Sequence, residues 1–225
     1  MDKRPQSSNL VPLSFISSWS GGKDSCFAFM KAIELGWQPK VLLNMMNEKG
    51  LISRSHGIPA DILQAQAKAL NLPIKNIPAS WEQYEEKFIG ALKQLVEEEK
   101  TSSAVFGDID LEAHRAWEEK VCKAAGIKAF LPLWQKERRA LVSEMIRSGI
   151  KTYIVSCNET MGQDFLGKLL DETLIDKIES LGVDACGENG EYHTLVVNCP
   201  LFANEIPVVF GERIKHNAYW FIEMC

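Results

Sequence analysis

The first two thirds of the chain alternate between short apolar runs and longer segments in which apolar residues recur every three to four positions. Short apolar runs bounded by turn residues predict buried strands, and the three-to-four spacing predicts amphipathic helices. The predicted strands cover 13–18, 41–46, 74–78 and 104–107, and the predicted helices cover 25–35, 58–70, 81–99 and 112–125. Because the helices are long enough to connect parallel neighbours, the pattern predicts an α/β fold with a parallel sheet.

A change of pattern after about residue 134 indicates a second unit. The remainder predicts a helix at 137–148, a strand at 152–156, helical structure over 164–181, and extended segments at 194–197, 206–210 and 218–222. We therefore expect a domain over 1–135 and a smaller α+β domain over 136–225. The β-propensity of 218–222 favours a core strand over an interface. The oligomeric state stays open, with a homodimer among the alternatives.

The composition is that of an ordinary globular protein. The chain has 225 residues, of which 46% are apolar and 24% charged, and its formal net charge is −5. A net negative charge argues against extensive electrostatic binding of nucleic acid, because such binding needs a basic surface. No apolar run approaches the ~18 residues that span a bilayer, and residues 1–12 are too polar for a signal peptide. We expect a cytoplasmic protein without membrane contact.

The six cysteines are scattered, and no two are spaced as CxxC. A structural zinc site is therefore not expected, and free, mostly buried thiols are the preferred interpretation. Cys26 follows a glycine-rich loop and Cys186 precedes another, so a sulfur-carrying role in a thiolase is the alternative. Core packing is favoured for Cys26, since Phe27 and Phe29 are its neighbours.

The strongest chemical signal is the loop that joins the first predicted strand to the first predicted helix. It reads Ser20-Gly21-Gly22-Lys23-Asp24-Ser25. Adjacent glycines let the backbone approach an anion closely, and the N–H groups of a helix start attract phosphate. The lysine adds a positive charge and the serines add hydroxyl donors. A Walker A loop would require Gly at 17 and Ser or Thr at 24, where this chain has Ser17 and Asp24.

Five side chains are candidates because they lie in this loop, are expected near it, or lie between glycines. Asp24 and Asp108 are expected beside the phosphates, where either could hold Mg²⁺ or a ribose hydroxyl; for Asp24 the alternative is a favourable charge at a helix start. His56 is either a nucleotide contact or a structural hydrogen bonder. Glu188 lies in a glycine-shaped segment with Glu191, and either glutamate is expected to face a substrate.

The loop sequence resembles the SGGxDS loop of the N-type ATP pyrophosphatases, the PP-loop superfamily. This resemblance implies a Rossmann-like fold of the adenine nucleotide alpha-hydrolase type. It also implies cleavage of ATP between the α- and β-phosphates, with the loop holding the departing pyrophosphate and Mg²⁺ assisting. The implied ATP-binding residues are Ser20, Gly21, Gly22, Lys23, Asp24, Ser25, His56, Gly107 and Asp108, with Asp24 as the implied metal ligand.

Longer stretches resemble the diphthine–ammonia ligase family. They are His56-Gly57-Ile58-Pro59, the helix with Gln64 to Leu70, Pro132-Leu133-Trp134, and Gly187-Glu188-Asn189-Gly190-Glu191-Tyr192-His193-Thr194. Asn189 stands where the family usually has Gly. The resemblance implies that ATP, ammonium and the diphthine carboxylate of elongation factor two give diphthamide, AMP and pyrophosphate. The implied catalytic residues are Lys23, Asp24, Glu188 and Glu191. Free ammonium is the expected nitrogen source because the length leaves no room for a glutaminase domain.

Diphthine carries a quaternary ammonium, which carboxylates and aromatic faces attract. We expect Glu188 and Glu191, with Tyr192 or Trp134, to recognise it. Two alternatives stay open. One is the same ATP chemistry on another substrate, including another carboxylate or tRNA; the other is a nucleotide-binding sensor without turnover.

Overall fold

A five-stranded parallel sheet forms the first half of the structure, a computed structural model that describes residues 13–225. Its strands are β1 (Ser14–Ser18), β2 (Gln38–Met46), β3 (Ile74–Pro78), β4 (Ser103–Val105) and β5 (Lys128–Phe130), in the order β3-β2-β1-β4-β5. The predicted Rossmann-like α/β architecture is thereby confirmed. Strand β5 was missing from the sequence prediction because it has three residues and none is fully buried, so it leaves no apolar run. The polar segment 1–12 lies outside the described residues.

Four helices connect these strands, as the periodicity predicts. They are α1 (Lys23–Glu34), α2 (Ala60–Ala69), α3 (Tyr84–Glu99) and α4 (Glu112–Ala124). Helix α1 begins two residues earlier than predicted, directly on the phosphate loop, and α3 begins three residues later because a turn precedes it. No helix within 13–225 combines the length and the apolar character needed to cross a bilayer.

The second half contains a four-stranded antiparallel sheet. Its strands are β6 (Lys151–Asn158), β7 (Tyr192–Asn198), β8 (Phe210–His216) and β9 (Tyr219–Met224), in the order β7-β6-β9-β8. Helix α5 (Arg138–Arg147) precedes β6, and α6 (Glu172–Ser180) lies between β6 and β7. Glu137 caps α5 by accepting from the backbone N–H groups of Arg139 and Ala140. The expected smaller α+β part is thus present.

Two predictions in this half differ from the structure. The helical structure predicted over 164–181 is present in its second half as α6 (Glu172–Ser180). It is preceded by a single 3-10 turn (Gln163–Phe165) and extended chain, because Gly167 has a φ of 73° and Leu169 bridges to Tyr153 of β6. The strand predicted at 206–210 precedes the observed strand, because β8 begins at Phe210. Most of β8 is exposed on both faces, so the strand lacks the alternation that would reveal it.

The two sheets share one hydrophobic core. One cluster joins Phe15, Phe27 and Leu63 of the first half to Val155 and Leu195 of the second. A separate cluster covers the opposite face of the parallel sheet and contains apolar residues of β1, α3, β4 and α4: Ile16, Phe88, Leu92, Ala104 and Val121. Strand β1 therefore places consecutive side chains in different cores, as the period of two requires.

Gln66 of α2 joins the two halves by hydrogen bonds at the centre of this core. Its side-chain amide donates to the carbonyl oxygens of Gly21 (3.0 Å) and Val196 (2.7 Å), and its Oε1 accepts from Trp19 Nε1 (2.9 Å). The residue is fully buried. The N–H of Val196 in turn donates to the carbonyl of Gly21 (3.0 Å), so the phosphate loop is tied to both α2 and β7.

We expect Gln66→Leu to lower the free energy of unfolding by about 2 to 4 kcal/mol, because buried polar groups that lose their partner keep their desolvation cost. The matched control is Gln64→Leu on the exposed face of the same helix, for which a change within about 0.5 kcal/mol is expected. Urea unfolding measures both. Equal midpoints for the two variants would contradict the bridging role of Gln66.

Candidate active site

A cavity of about 660 Å³ opens at the carboxyl ends of the parallel strands. Its lining includes the phosphate loop, residues after β4, one face of α4 and the segment that leads into β7. Parallel α/β sheets bind ligands at this edge. The order of strands and helices in the sequence predicts that the phosphate loop and Gly107 both lie there. The second sheet also contributes to the site, through β7.

The phosphate loop is stabilised by its own hydroxyl groups. Ser25 Oγ donates to the carbonyl of Gly22 (3.1 Å) and lies 3.0 Å from Ser20 Oγ. Gly21 adopts a φ of 86°, and Gly22 is the N-cap of α1 without any side-chain cap. The N–H of Lys23 at this helix start donates to Thr194 Oγ1, and the first turn of a helix has further N–H groups that attract an anion. Phosphate binding by this loop stays a prediction.

Glycine is required where the loop meets its neighbours. A Cβ on Gly22 would lie 2.3 Å from Cε1 of His56, and a Cβ on Gly107 would lie 2.7 Å from the carbonyl carbon of Asp24. Both distances are far below van der Waals contact. The segment with His56 and the end of β4 therefore pack directly against the loop, which brings the sequence-predicted residues of the nucleotide site together.

Lys23 is buried between the loop and the second half of the chain. Its ammonium lies 2.9 Å from Asp24 Oδ2, donates to the carbonyl of Cys186, and sits 5.0 Å from the centre of the Tyr192 ring. Its backbone N–H donates to Thr194 Oγ1 (3.1 Å). Burial works against the charge, but the interactions with Asp24, Tyr192 and Cys186 together outweigh it, so the pKa of Lys23 is raised above its usual value. The lysine is therefore charged at every physiological pH.

One carboxylate oxygen beside the loop has no partner. Asp24 Oδ1 is buried, and none of the described residues donates a hydrogen bond to it. Within residues 13–225 no group of three or more His, Cys, Asp or Glu side chains is placed to hold a metal ion. Mg²⁺ at nucleotide sites typically uses one or two carboxylates together with phosphate oxygens, so Asp24 Oδ1 is an atom that fits such an ion.

Two neutral imidazoles line the cavity near Gly22. The rings of His56 and His193 are 4.7 Å apart, and His56 Nδ1–H donates to the carbonyl of Thr194 (2.8 Å). Burial lowers the pKa of both residues, to about 3 for His193. They therefore add no positive charge next to Lys23. His56 is thus a structural hydrogen bonder that also faces the cavity, and its contact with a nucleotide stays a prediction.

A second group of acids lies farther along the lining. Glu188 accepts from the N–H of Ile109 (3.0 Å), and Asp108 Oδ1 lies 2.7 Å from His114 Nδ1. Burial raises the pKa of Glu188 to about 7, with Asp24 and Asp108 adding to the increase. Asp108 is desolvated too, but hydrogen bonds from His114 and Glu118 lower its pKa. Glu188 and Asp108 thus face the cavity, as the sequence predicts.

Three other predicted residues make contacts within the protein. The carboxylate of Glu191 accepts from the backbone N–H (3.0 Å) and the Nδ2 (3.1 Å) of Asn189, and Glu191 is absent from the lining. Tyr192 lines the cavity, but its ring packs on Lys23 and its hydroxyl donates to the carbonyl of Ala185 (2.6 Å). Trp134 is stacked under Arg115. The catalytic role of Glu191 stays a prediction without support from these contacts.

The structure adds residues that sequence reasoning missed. Tyr84, Trp117 and Glu118 line the cavity, and Thr194 holds the loop. Only Glu118 left a signal, because it shares the buried face of α4 with Val121 and Cys122. A glutamate on an apolar helix face is rarely buried without a reason.

Comparisons with known proteins place both halves of the chain in one family. Residues 14–129 match the family model described as diphthamide synthase N-terminal domain, and residues 137–224 match the one described as diphthamide synthase C-terminal domain. Proteins of Mus musculus and Homo sapiens named diphthine–ammonia ligase are each 32% identical over 225 residues, which covers 88% of this chain and 84% of theirs.

One solved structure is also similar, a "predicted subunit of tRNA methyltransferase from Methanocaldococcus jannaschii DSM". It is 14% identical, covers 86% of this chain and 100% of its own, and gives a TM-score of 0.37. That similarity is too low to carry an argument.

The elevated pKa of Glu188 predicts a pH-dependent stability. Between its ordinary value of 4.5 and about 7, the folded state binds more protons than the unfolded state, so this residue makes stability fall as the pH rises. We expect Glu188→Gln to lose less stability than the parent between pH 5 and pH 8. Urea unfolding at both pH values measures this, with exposed Glu112→Gln as the control. An identical loss in all three proteins would contradict the assignment.

Proposed function

This chain belongs to the diphthamide synthase family, and from that premise we propose that it is an ATP-dependent ligase that amidates a carboxylate with ammonium. The products are an amide, AMP and pyrophosphate. The proposed acceptor is diphthine on elongation factor two, the reaction for which the named relatives are called diphthine–ammonia ligases. The observation that carries the proposal is the glycine-containing phosphate loop at the start of α1, with buried Lys23, which opens onto a cavity lined by carboxyl groups.

The proposed roles follow from the contacts. The loop from Ser20 to Ser25 binds the β- and γ-phosphates with its N–H and hydroxyl groups, and Lys23 stabilises the negative charge of the departing pyrophosphate. Gly107 and Asp108, which follow β4, form the wall of the nucleotide site on that side. Holding ATP and the acceptor carboxylate in one cavity supplies the positioning on which such a transfer depends.

The proposed reaction consists of two successive displacement steps. The acceptor carboxylate attacks the α-phosphorus and pyrophosphate leaves, which gives an acyl-adenylate. Ammonia then attacks the acyl carbon and AMP leaves. The nitrogen must lose protons as it becomes an amide, and Glu188 is suited to accept one because its pKa of about 7 lies near the working pH. The proposal places this reaction in the cytoplasm, where ATP and ammonium are available.

Mg²⁺ is part of the proposal. Asp24 Oδ1 is the buried, unpartnered oxygen that would hold it, and the ion would neutralise charge on the phosphates during transfer. Asp24 therefore has two functions, since its other oxygen fixes the ammonium of Lys23.

Lys23→Ala tests the reaction. The purified protein is incubated with ATP, Mg²⁺, ammonium and diphthine-bearing elongation factor two, and AMP, pyrophosphate and the mass of the factor are followed. We expect the parent to form AMP with the small mass decrease of an acid converted to an amide. Lys23→Ala is expected to lose at least ~100-fold in rate, whereas the exposed control Lys49→Ala retains it. ATP binding without AMP for any acceptor would overturn the ligase in favour of a nucleotide sensor.

Asp24→Asn tests the metal assignment. We expect Mg²⁺ to strengthen ATP binding to the parent and to have a much smaller effect on this variant, because the neutral amide is a weaker Mg²⁺ ligand. Calorimetric titration of ATP with and without Mg²⁺ measures the difference, with Asp61→Asn on the exposed side of α2 as the control. An equal Mg²⁺ effect in all three proteins would assign the ion to other groups.

A further inference from the structure

Part of the cavity lining is formed by aromatic rings that the ATP chemistry does not use. Tyr84 and Phe88 project from α3 and Trp117 from α4, and all three line the cavity. The ring centres are 5.7 Å apart for Tyr84 and Trp117 and 5.2 Å apart for Phe88 and Trp117. Trp117 Nε1 donates to Glu85 (2.9 Å). We call the surface formed by these three rings the aromatic recess.

Two carboxyl groups adjoin the aromatic recess. Glu118 is 3% exposed, lines the cavity, and its Oε2 receives no hydrogen bond from any N–H or O–H group of the described residues. Burial and the interaction with Asp108 raise the pKa of Glu118 to about 11, whereas the pKa of Asp108 is lowered. Glu118 is therefore protonated and Asp108 ionised, and the pair retains one negative charge at neutral pH.

The cations near this pair do not fill the recess. His114 binds Asp108 from the exposed surface of α4 (2.7 Å). Arg54 lies over Trp81 (4.7 Å), and Arg115 lies over Trp134 (5.1 Å). Among the cation–π contacts of residues 13–225, none places a lysine or arginine over Tyr84, Phe88 or Trp117. Phe88 is 2% exposed and belongs to the apolar cluster, whereas Tyr84 and Trp117 are half-buried at the cavity. A cation from outside the chain would therefore meet the Tyr84 and Trp117 rings together with the carboxyl pair.

We propose that the aromatic recess and the Asp108–Glu118 pair bind an alkylated ammonium group of the acceptor. Ring faces attract cations, and methyl groups on the nitrogen bury apolar surface against the rings, which a bare ammonium ion cannot do. This inference rests on the proposed function, because it assigns part of the same cavity to the acceptor. It assigns cation recognition, which the sequence predicts for Glu188 and Glu191 with Tyr192 or Trp134, to residues of α3, the segment after β4, and α4.

The occupant is tested with small probes in the absence of ATP. Choline is titrated into the full-length protein at constant ionic strength, and binding is followed by calorimetry and tryptophan fluorescence. The same titration is made with 3,3-dimethyl-1-butanol, its uncharged isostere, and with ammonium chloride. We expect saturable choline binding that is at least ~10-fold tighter than binding of either other probe. Equal binding of the isostere would overturn the cation site, and equal binding of ammonium would assign the recess to the nitrogen donor.

Variants locate the probe. Trp117→Leu removes a ring face and Asp108→Asn removes the charge, so each is expected to weaken choline binding at least ~10-fold. Trp117→Phe should restore most of it, which separates recognition from a loss of folding. Asp164→Asn is the charge control, because Asp164 is exposed and does not line the cavity. Unchanged choline affinity in both test variants would overturn the proposal.

The outcome is independent of the ligase assay. If AMP forms with elongation factor two while choline does not bind, the recess proposal fails and the ligase stands. If choline binds and its binding needs Trp117 and Asp108, but no acceptor supports AMP formation, the cation site stands and the proposed reaction fails.

Discussion

The backbone of the phosphate loop is held in place by hydrogen bonds from outside its own sheet, and the remaining architecture of the site depends on them. Thr194 and Val196 of β7 bind Lys23 and Gly21, and Gln66 of α2 binds Gly21 from another side. A glycine pair alone would leave this segment free to adopt many conformations. The second sheet is therefore part of what fixes the loop, because without β7 the loop loses two of these bonds.

The charge distribution follows from the same packing. Lys23 is buried with Asp24 as its partner, and the imidazoles beside it are neutral because they are buried. Farther along the cavity, the carboxyl groups of Asp108, Glu118 and Glu188 lie close enough to influence one another's pKa values. Burial raises the pKa of Glu118 and of Glu188. The cavity thus has a cationic end at the loop and an acidic, aromatic end at α3 and α4. Such an asymmetric cavity suits an anionic nucleotide and a cationic acceptor at the same time.

The sequence was informative where local chemistry decides structure. The parallel α/β half and the phosphate loop follow from periodicity and from two adjacent glycines. Strand β5 is too short and β8 too exposed to leave a pattern, and the break at Gly167 depends on pairing with β6. The same limit applies within the site. Glu188 and Glu191 are alike by sequence, but the bond from Asn189 turns Glu191 away. The recess of Tyr84 and Trp117 exists only because α3 packs against α4, which no local pattern specifies.

The bond between Lys23 and Thr194 joins residues 171 positions apart in the chain. On the ribosome, where synthesis proceeds from the N-terminus, the loop emerges long before β7 does. The parallel sheet can begin to form during that interval, but the loop lacks the partners that fix its backbone. Contacts of such long sequence separation also slow folding. The last strand of the parallel sheet, β5, is made by residue 130, whereas the loop's partners in β7 follow only at Thr194 and Val196. Over that interval a growing chain can hold the sheet while its nucleotide site still lacks these partners.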